Sequence, residues 1–407
     1  MDGHPQALID LAAVRANVAA MRRHVAGPQL LAVVKSDGYG HGMTQVAAAA
    51  LAGGAAWLGV SHIGEALELR AAGVTAPVLC LMGAPGAAHE AAIRAGVDLT
   101  AGSVELLAEI TAAAARTGLP ARLHLKADTG MSRGGATPEH WPALVAAALA
   151  ASAAGQAAII GIWSHLACAD MPGHPSVGAQ LAAFRAALDQ AARAGARPQL
   201  RHLANTAATL TLPETWFDLV RPGGGVVGLA TLPGGAPSWL RPAMTVTARL
   251  VQVKTVPSGT GVSYGHRFHA SGETTLGLIP LGYNEGVPRA AANTGQILVG
   301  GRRRTIAGTV CMNQVIVDLG GQGAAPGDTA VLFGPGDSGE PTAQEWADAL
   351  GTISYDIVTR FGSQVPRSYA GLAPAQAPAP AQAPPQAGAP APAAAPTQAT
   401  SAPRREN

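Results

Sequence analysis

The sequence predicts an α/β protein in two parts, an N-terminal (β/α)8 barrel and a mostly antiparallel β C-terminal domain. Three observations predict it. Up to about residue 230, short apolar runs alternate with turns and alanine-rich amphipathic stretches, the order expected of parallel strands joined by crossover helices. Eight such runs occur, the number that closes a barrel of the TIM type. After about residue 236 the period shifts to two, with glycine or proline between segments, as in antiparallel strands.

The elements follow in order. The start, 1-MDGHPQALIDLAAVRANVAAMRRHV-25, lacks the basic stretch, unbroken apolar core and cleavage site of a leader. It reads as an amphipathic helix capped by Asp10, with Val14, Val18, Met21 and Val25 on one face. The barrel strands are 30-LLAVVK-35, 57-WLGV-60, 77-PVLCL-81, 97-VDLT-100, 121-ARLHLK-126, 158-AIIGIWS-164, 199-QLRHL-203 and 217-FDLV-220. Helices fit between them, as in 62-HIGEALELRAAG-73 and 103-SVELLAEITAAAARTG-118, the latter capped by Ser103. The second part alternates in 244-MTVTARLVQVKTV-256, 275-TLGLIPLGY-283, 296-QILVGGRRRTIAG-308 and 314-QVIVDL-319, with a helical stretch at 342-TAQEWADALG-351. From about 371 the chain is alanine, proline and glutamine, which cannot bury a core, and a disordered tail is expected. The expected boundaries are 1–236 for the barrel, 237–370 for the β domain and 371–407 for the tail.

Composition excludes several classes. Of the 407 residues 48% are hydrophobic, enough for two cores, and no window holds the apolar run of a spanning helix. The net charge of +2, with no basic stripe and few aromatics, argues against nucleic acid. Cys80, Cys168 and Cys311 are odd in number and far apart, so neither a disulfide framework nor a metal motif is expected, and the cytoplasm is the default compartment.

Chemistry-bearing residues gather at the strand ends, where a barrel of this kind places its active site. Lys35, Lys126, the Ser164–His165 pair, His202 with Asn205, and Arg221 all fall at or just past those ends. In 32-AVVKSDGYGHG-42 a lysine ends an apolar run. Such a residue either snorkels to water or is a desolvated amine able to attack an aldehyde, and Tyr39 and His41 at the same mouth favour the second. The glycines of 222-PGGG-225 form a flexible loop or a phosphate site, and their place just past the last barrel strand favours phosphate. Lys126 stands seven residues before Arg133, with Asp128 as a ready ion-pair partner.

The stretch around Lys35 resembles the pyridoxal-phosphate lysine motif of alanine racemases. Further motifs recur in that family's order, 125-LKADTGMSRGG-135, 163-WSHLACAD-170, 202-HLANTAATL-210, 221-RPGGGVVGL-229, 263-SYG-265, 282-GYNEGVPR-289, 308-GTVCMNQ-314 and 352-TISYD-356. The resemblance covers roughly residues 5–370.

The resemblance implies a pyridoxal 5'-phosphate enzyme that interconverts L-alanine and D-alanine, with D-alanine supplying peptidoglycan. Lys35 would hold the cofactor and then act as base on one face. Thr206, the backbone of Gly223 and Gly224, and the phenols of Tyr39 and Tyr355 would take the phosphate, with Asn205 in the same cofactor set. Arg221 would face the pyridine nitrogen, oriented by His202, with His165 beside the ring. Tyr264 would be the base on the opposite face, reaching over from the other subunit of a homodimer with composite sites. Tyr283, Met312 and Asn313 would line the entrance from that subunit. Arg133 would meet the substrate carboxylate, and in many family members the lysine at the position of Lys126 is carbamylated to hold that arginine.

Some positions depart from the family pattern. Asn313 replaces an aspartate, Gly224 and Val227 replace isoleucine and tyrosine, Ser132 a glycine and Ser164 a threonine. The loss of a charge at Asn313 leaves a broader or serine-preferring racemase as the alternative. A barrel decarboxylase is disfavoured because Arg221 stands where such enzymes want a carboxylate. A single-domain cofactor carrier is disfavoured by the second domain that contains Tyr264.

Overall fold

The computed structural model describes residues 5–371 apart from Gln322 and Ser363, so the expected tail lies, beyond Gly371, outside the described residues. Eight parallel strands form one sheet, in the order Leu200–His202, Ala157–Trp163, Ala121–Lys126, Asp98–Ala101, Val78–Cys80, Trp57–Val60, Gln29–Val33 and Leu219–Val220. Each coincides within a residue or two with a run read from the sequence. The ends of this sheet meet through two backbone bonds of 3.0 Å, Asp218 N–H to Arg201 O and Arg221 N–H to Ala204 O, and the barrel is nearly closed.

Alternation along the strands divides the side chains. Leu30, Ala32, Leu58, Leu123 and Leu125 pack in the large cluster shared with the helices. Leu31, Val33, Trp57, Leu79, Ile160, Leu200 and Leu219 form a second, smaller cluster within the barrel. The helix Leu11–Val25 begins where Asp10 Oδ1 accepts from Ala13 N–H at 3.0 Å, and it buries Val14, Val18, Met21 and Val25 as expected. Ser103 caps Val104–Thr117 through Leu106 N–H.

The second domain contains a six-stranded sheet in the order Arg302–Thr305, Gln296–Val299, Thr329–Phe333, Met244–Arg249, Gln6–Asp10 and Arg367–Ala370. Only the last pairing is parallel. A three-stranded antiparallel sheet, Gln252–Val256, Thr274–Ile279 and Val315–Gly320, completes it with a short ribbon, Gly261–Val262 against Phe268–His269. The run 244–256 thus breaks into two strands in different sheets.

Gln6–Asp10 was expected to lead into the first helix. Instead it pairs antiparallel with Met244–Arg249 and parallel with Arg367–Ala370, burying Ala7 and Ile9. The β domain therefore takes its fifth strand from a stretch that the sequence reading gave to the barrel. No helix among the described residues is long and apolar enough to cross a membrane.

Candidate active site

Lys35 follows the strand Gln29–Val33 and opens a turn of unusual hand. Ser36, Asp37, Gly38 and Tyr39 have φ of 54°, 54°, 63° and 57°, a left-handed stretch that costs each non-glycine residue roughly 1–2 kcal/mol. Polar bonds hold it in place. Glu65 Oε1 accepts from Ser36 N–H at 2.7 Å, and its Oε2 accepts from Ser61 N–H at 2.6 Å, pinning this turn to the neighbouring strand end. Asp37 Oδ1 accepts from Met43 N–H at 2.9 Å, and its other oxygen pairs with Arg367. Buried His41 donates from Nδ1 to Tyr39 O, and burial lowers its pKa to about 4. At Gly40, with φ of 80°, a Cβ would collide with the Val358 carbonyl. Burial, then the charge of Arg133, holds the Lys35 pKa below its ordinary value, while Glu65 opposes the shift.

Arg221, just past Leu219–Val220, is buried. Its Nη2 donates to Ser164 O at 2.7 Å and Leu203 O at 3.3 Å and lies 3.3 Å from His165 Nδ1, while Nη1 lies 3.1 Å from His202 Nδ1. These partners are all uncharged, and burial lowers the guanidinium pKa to about 9. Burial also drives His165 well below its ordinary value, with Arg221 the next cause. Lys126 ends Ala121–Lys126, and both its Nζ and the Arg221 guanidinium carbon lie over the Trp163 ring, 4.6 and 4.7 Å from the centroid. Burial, then Arg133 and Arg221, lowers the Lys126 pKa to about 8, against the pull of Asp128. Asp128 turns its Oδ1 to Gly130 N–H (3.0 Å) and Ser132 N–H (3.1 Å), so it shapes the loop that carries Arg133.

The glycine loop lies beneath two phenols. A Cβ on Gly223 would collide with the Tyr39 hydroxyl and one on Gly224 with the Tyr355 ring, so only bare backbone lets both tyrosines reach over it. The two rings lie 5.9 Å apart. Thr206 Oγ1 accepts from Gly223 N–H (2.9 Å) and Gly225 N–H (3.4 Å), so the Gly223 donor is already engaged. Burial raises the pKa of both phenols, and both stay protonated donors at neutral pH. Asn205 caps Thr206–Thr211, its Oδ1 accepting from Ala208 N–H at 3.1 Å.

Tyr264, Tyr283, Met312 and Asn313 form a second group in the β domain. The segment Thr309–Asn313 joins them. Ser263 Oγ donates to Thr309 O and Thr309 Oγ1 to Tyr264 O, while Tyr283 N–H donates to Cys311 O and Asn284 N–H to Met312 O. Asn313 Nδ2 donates to Glu285 Oε1 at 2.6 Å. All four are exposed, Tyr264 by 73%. Sequence reasoning missed Glu65. Its signal was faint, because an acid in the first turn of a helix is ordinary.

The chain matches the alanine racemase N-terminal domain over residues 9–231 and the alanine racemase C-terminal domain over 243–369. The chain belongs to the alanine racemase family. It is 55% identical over 371 residues to the alanine racemase of Thermobifida fusca, covering 91% of this chain and 99% of that one. It is 56% identical to that of Frankia casuarinae, covering 89% and 95%. Among solved structures, the alanine racemase of Streptomyces coelicolor superposes with a TM-score of 0.89 at 52% identity, covering 90% of this chain and 98% of that one. Alanine racemases are pyridoxal-phosphate-dependent isomerases.

Ser132, read from the sequence resemblance as standing in place of a glycine, has a visible backbone cost. It adopts φ of 56°, the left-handed region that favours glycine. Ser132→Gly is expected to raise stability by roughly 1 kcal/mol, read from a shifted urea midpoint. A lowered midpoint would show that the serine side chain compensates the strain.

Proposed function

We propose that this chain interconverts L- and D-alanine by moving one proton at Cα between two carriers, Lys35 and Tyr264, with pyridoxal 5'-phosphate as cofactor. The observation that carries the reading is Arg221, a buried donor-only group beside His165 at the mouth that also holds Lys35. The residues present fit the cofactor. Bare backbone at Gly223 and Gly224 lets the phenols of Tyr39 and Tyr355 close over the loop, and with the Thr206 hydroxyl they form a set of partners suited to a phosphate.

Bound pyridoxal phosphate supplies the electron sink that makes the alanine Cα–H acidic. Lys35 Nζ holds the cofactor and, once free, takes or returns the proton on one face; its lowered pKa favours the neutral amine that this requires. Arg221 presents N–H groups to the ring nitrogen where most pyridoxal enzymes present a carboxylate. A guanidinium only donates, so a bound pyridine nitrogen would remain an acceptor there, which would favour return of the proton to Cα over other outcomes. His165, kept neutral, packs at the ring. Arg133 receives the substrate carboxylate.

Tyr264 Oη serves the opposite face. In one copy of the chain this phenol stands exposed to solvent. Its use as a base requires cationic neighbours, and a second copy of the chain offers Arg221 and the lysines of its own barrel. The working unit is therefore a homodimer with composite sites, each taking Tyr264, Tyr283, Met312 and Asn313 from the partner. Cytoplasmic D-alanine made this way would feed peptidoglycan synthesis.

Lys126 is set for carbamylation. With a pKa of about 8 and Arg133, Arg221 and Lys35 around it, its free amine adds to carbon dioxide, releases a proton and becomes an anion between cations. A carbamate resonance after exposure to 13C-labelled bicarbonate, strengthening as pH rises through 8 and missing in Lys126→Ala, is expected. Its absence from the parent chain would refute the modification.

Purified chain with added cofactor should convert L-alanine to D-alanine far faster than L-serine, L-lysine or L-arginine. Comparable turnover of any of these would favour the broader reading, with Asn313 as its first suspect. Lys35→Ala should lose the visible absorbance of the bound cofactor. Tyr264→Ala should keep it and lose exchange of the Cα proton with solvent for one enantiomer only; near-parental exchange of both enantiomers would reject Tyr264 as a base.

A further inference from the structure

A chain of buried side chains runs from Arg221 down through the barrel to its opposite end. His202, which receives Arg221 Nη1 at Nδ1, places Nε2 2.8 Å from His124 Nδ1. His124 Nε2 lies 3.1 Å from Asp98 Oδ2. Arg122 closes the chain, its Nε 2.7 Å from Asp98 Oδ1 and its Nη2 3.2 Å from Oδ2. Asp98 and Arg122 stand at the N-terminal ends of their strands, so the chain spans the barrel from floor to mouth. The side chains of Asp98 and His124 are buried, His202 is buried, and the Arg122 side chain reaches solvent.

The two ends fix the direction of every bond between them. A guanidinium only donates and an ionised carboxylate only accepts. His202 must then accept at Nδ1 and donate from Nε2. His124 must likewise accept at Nδ1 and donate from Nε2. Both rings are neutral and both carry the proton on Nε2, because any other assignment sets two donors or two acceptors face to face.

The backbone is shaped to hold these rings. Pairing between Ala121–Lys126 and Ala157–Trp163 slips by a residue between Leu123 and His124, bringing Gly161 opposite His124. A Cβ on Gly161 would collide with the His124 ring. His202 stacks on Trp163 with an interplanar angle of 5°, and His124 meets the Trp57 ring edge-on at 72°. Neither ring is free to turn.

We propose that Asp98 is a positioning residue of the reaction, which acts through His124 and His202 to fix the lone pair that Arg221 donates to and so aims the guanidinium. This rests on the reading of Arg221 given above. Without the carboxylate the order of donors can reverse. His124 then carries its proton on Nδ1, His202 follows, and an N–H confronts the N–H of Arg221.

Asp98→Asn tests this in the cofactor-loaded enzyme, because an amide in that place offers an N–H to His124 Nε2. Ring nitrogen shifts of 15N-histidine-labelled protein report the tautomers, and steady-state assays report kcat and KM. The parent enzyme is expected to show Nε2–H on both rings. The variant is expected to move the His124 proton to Nδ1 and lower kcat roughly ten-fold or more, the scale of a hydrogen bond lost against a charged group, with a smaller change in KM. Gly161→Ala, which pushes His124 aside without changing charge, should lower kcat in the same sense. An Nδ1–H tautomer on either ring of the parent enzyme overturns the proposal even if Asp98→Asn fails to fold. Unchanged ring shifts or unchanged kcat in Asp98→Asn overturn it as well. Arg221→Gln, assayed alongside, separates the two claims: wild-type kcat there removes the underlying reading of Arg221, while the ring shifts still decide the relay.

Discussion

Everything at the barrel mouth depends on a buried guanidinium that touches no carboxylate among the described residues. Arg221 is held by two carbonyl oxygens and by the nitrogens of two histidines. Its backbone N–H is also one of the two bonds that bring the barrel's ends together. The residue that closes the barrel is therefore the one that sets its electrostatics. A carboxylate partner would restore an acceptor to this position and change what a pyridine ring nitrogen meets there. With neutral partners only, the guanidinium depends on shape for its aim, which is why Trp163 beneath it and the stacked His202 ring matter.

The surrounding charges are mostly cationic, with Asp128 and Glu65 set against them. Arg133 and Arg221 depress Lys126, Arg133 depresses Lys35, and Arg221 depresses His165, each in addition to burial. Such a cluster is tolerable only beside solvent or when anions enter it. A phosphate over the glycine loop, a substrate carboxylate at Arg133 and a carbamate on Lys126 are the anions that this arrangement suits. Glu65 is the counterweight already present. It opposes the shift of Lys35 and fixes the left-handed turn that displays it.

Much of this was legible in the sequence because the signals are local. Strand runs and their turns placed Lys35, Lys126, His202 and Arg221 at strand ends, and Asp10 and Ser103 cap the helices they were read to cap. Other features rest on contacts distant in sequence. Gln6–Asp10 is too short to announce itself, and its partners lie at the far end of the chain. Glu65 reads as an ordinary first-turn acid until the fold brings Ser36 and Ser61 to it. His124 carries a signal in its own strand. In 121-ARLHLK-126 the apolar residues Ala121, Leu123 and Leu125 are buried in the large core, which leaves Arg122, His124 and Lys126 on the opposite face of the strand. The conformation at Ser132 is hinted at only by the glycine it replaces in the resemblance, and the loop geometry held by Asp128 demands it.

The same logic explains why one polypeptide leaves its proposed second base in solvent. The barrel supplies cations and donors, and Tyr264 stands exposed on the β domain. The proposed reaction depends on Arg221 donating to the ring nitrogen of bound cofactor. The most direct measurement is the chemical shift of that nitrogen in the enzyme loaded with 15N-labelled pyridoxal phosphate. An unprotonated nitrogen that accepts a hydrogen bond is predicted across neutral pH. A protonated pyridinium in the wild-type enzyme would contradict the account.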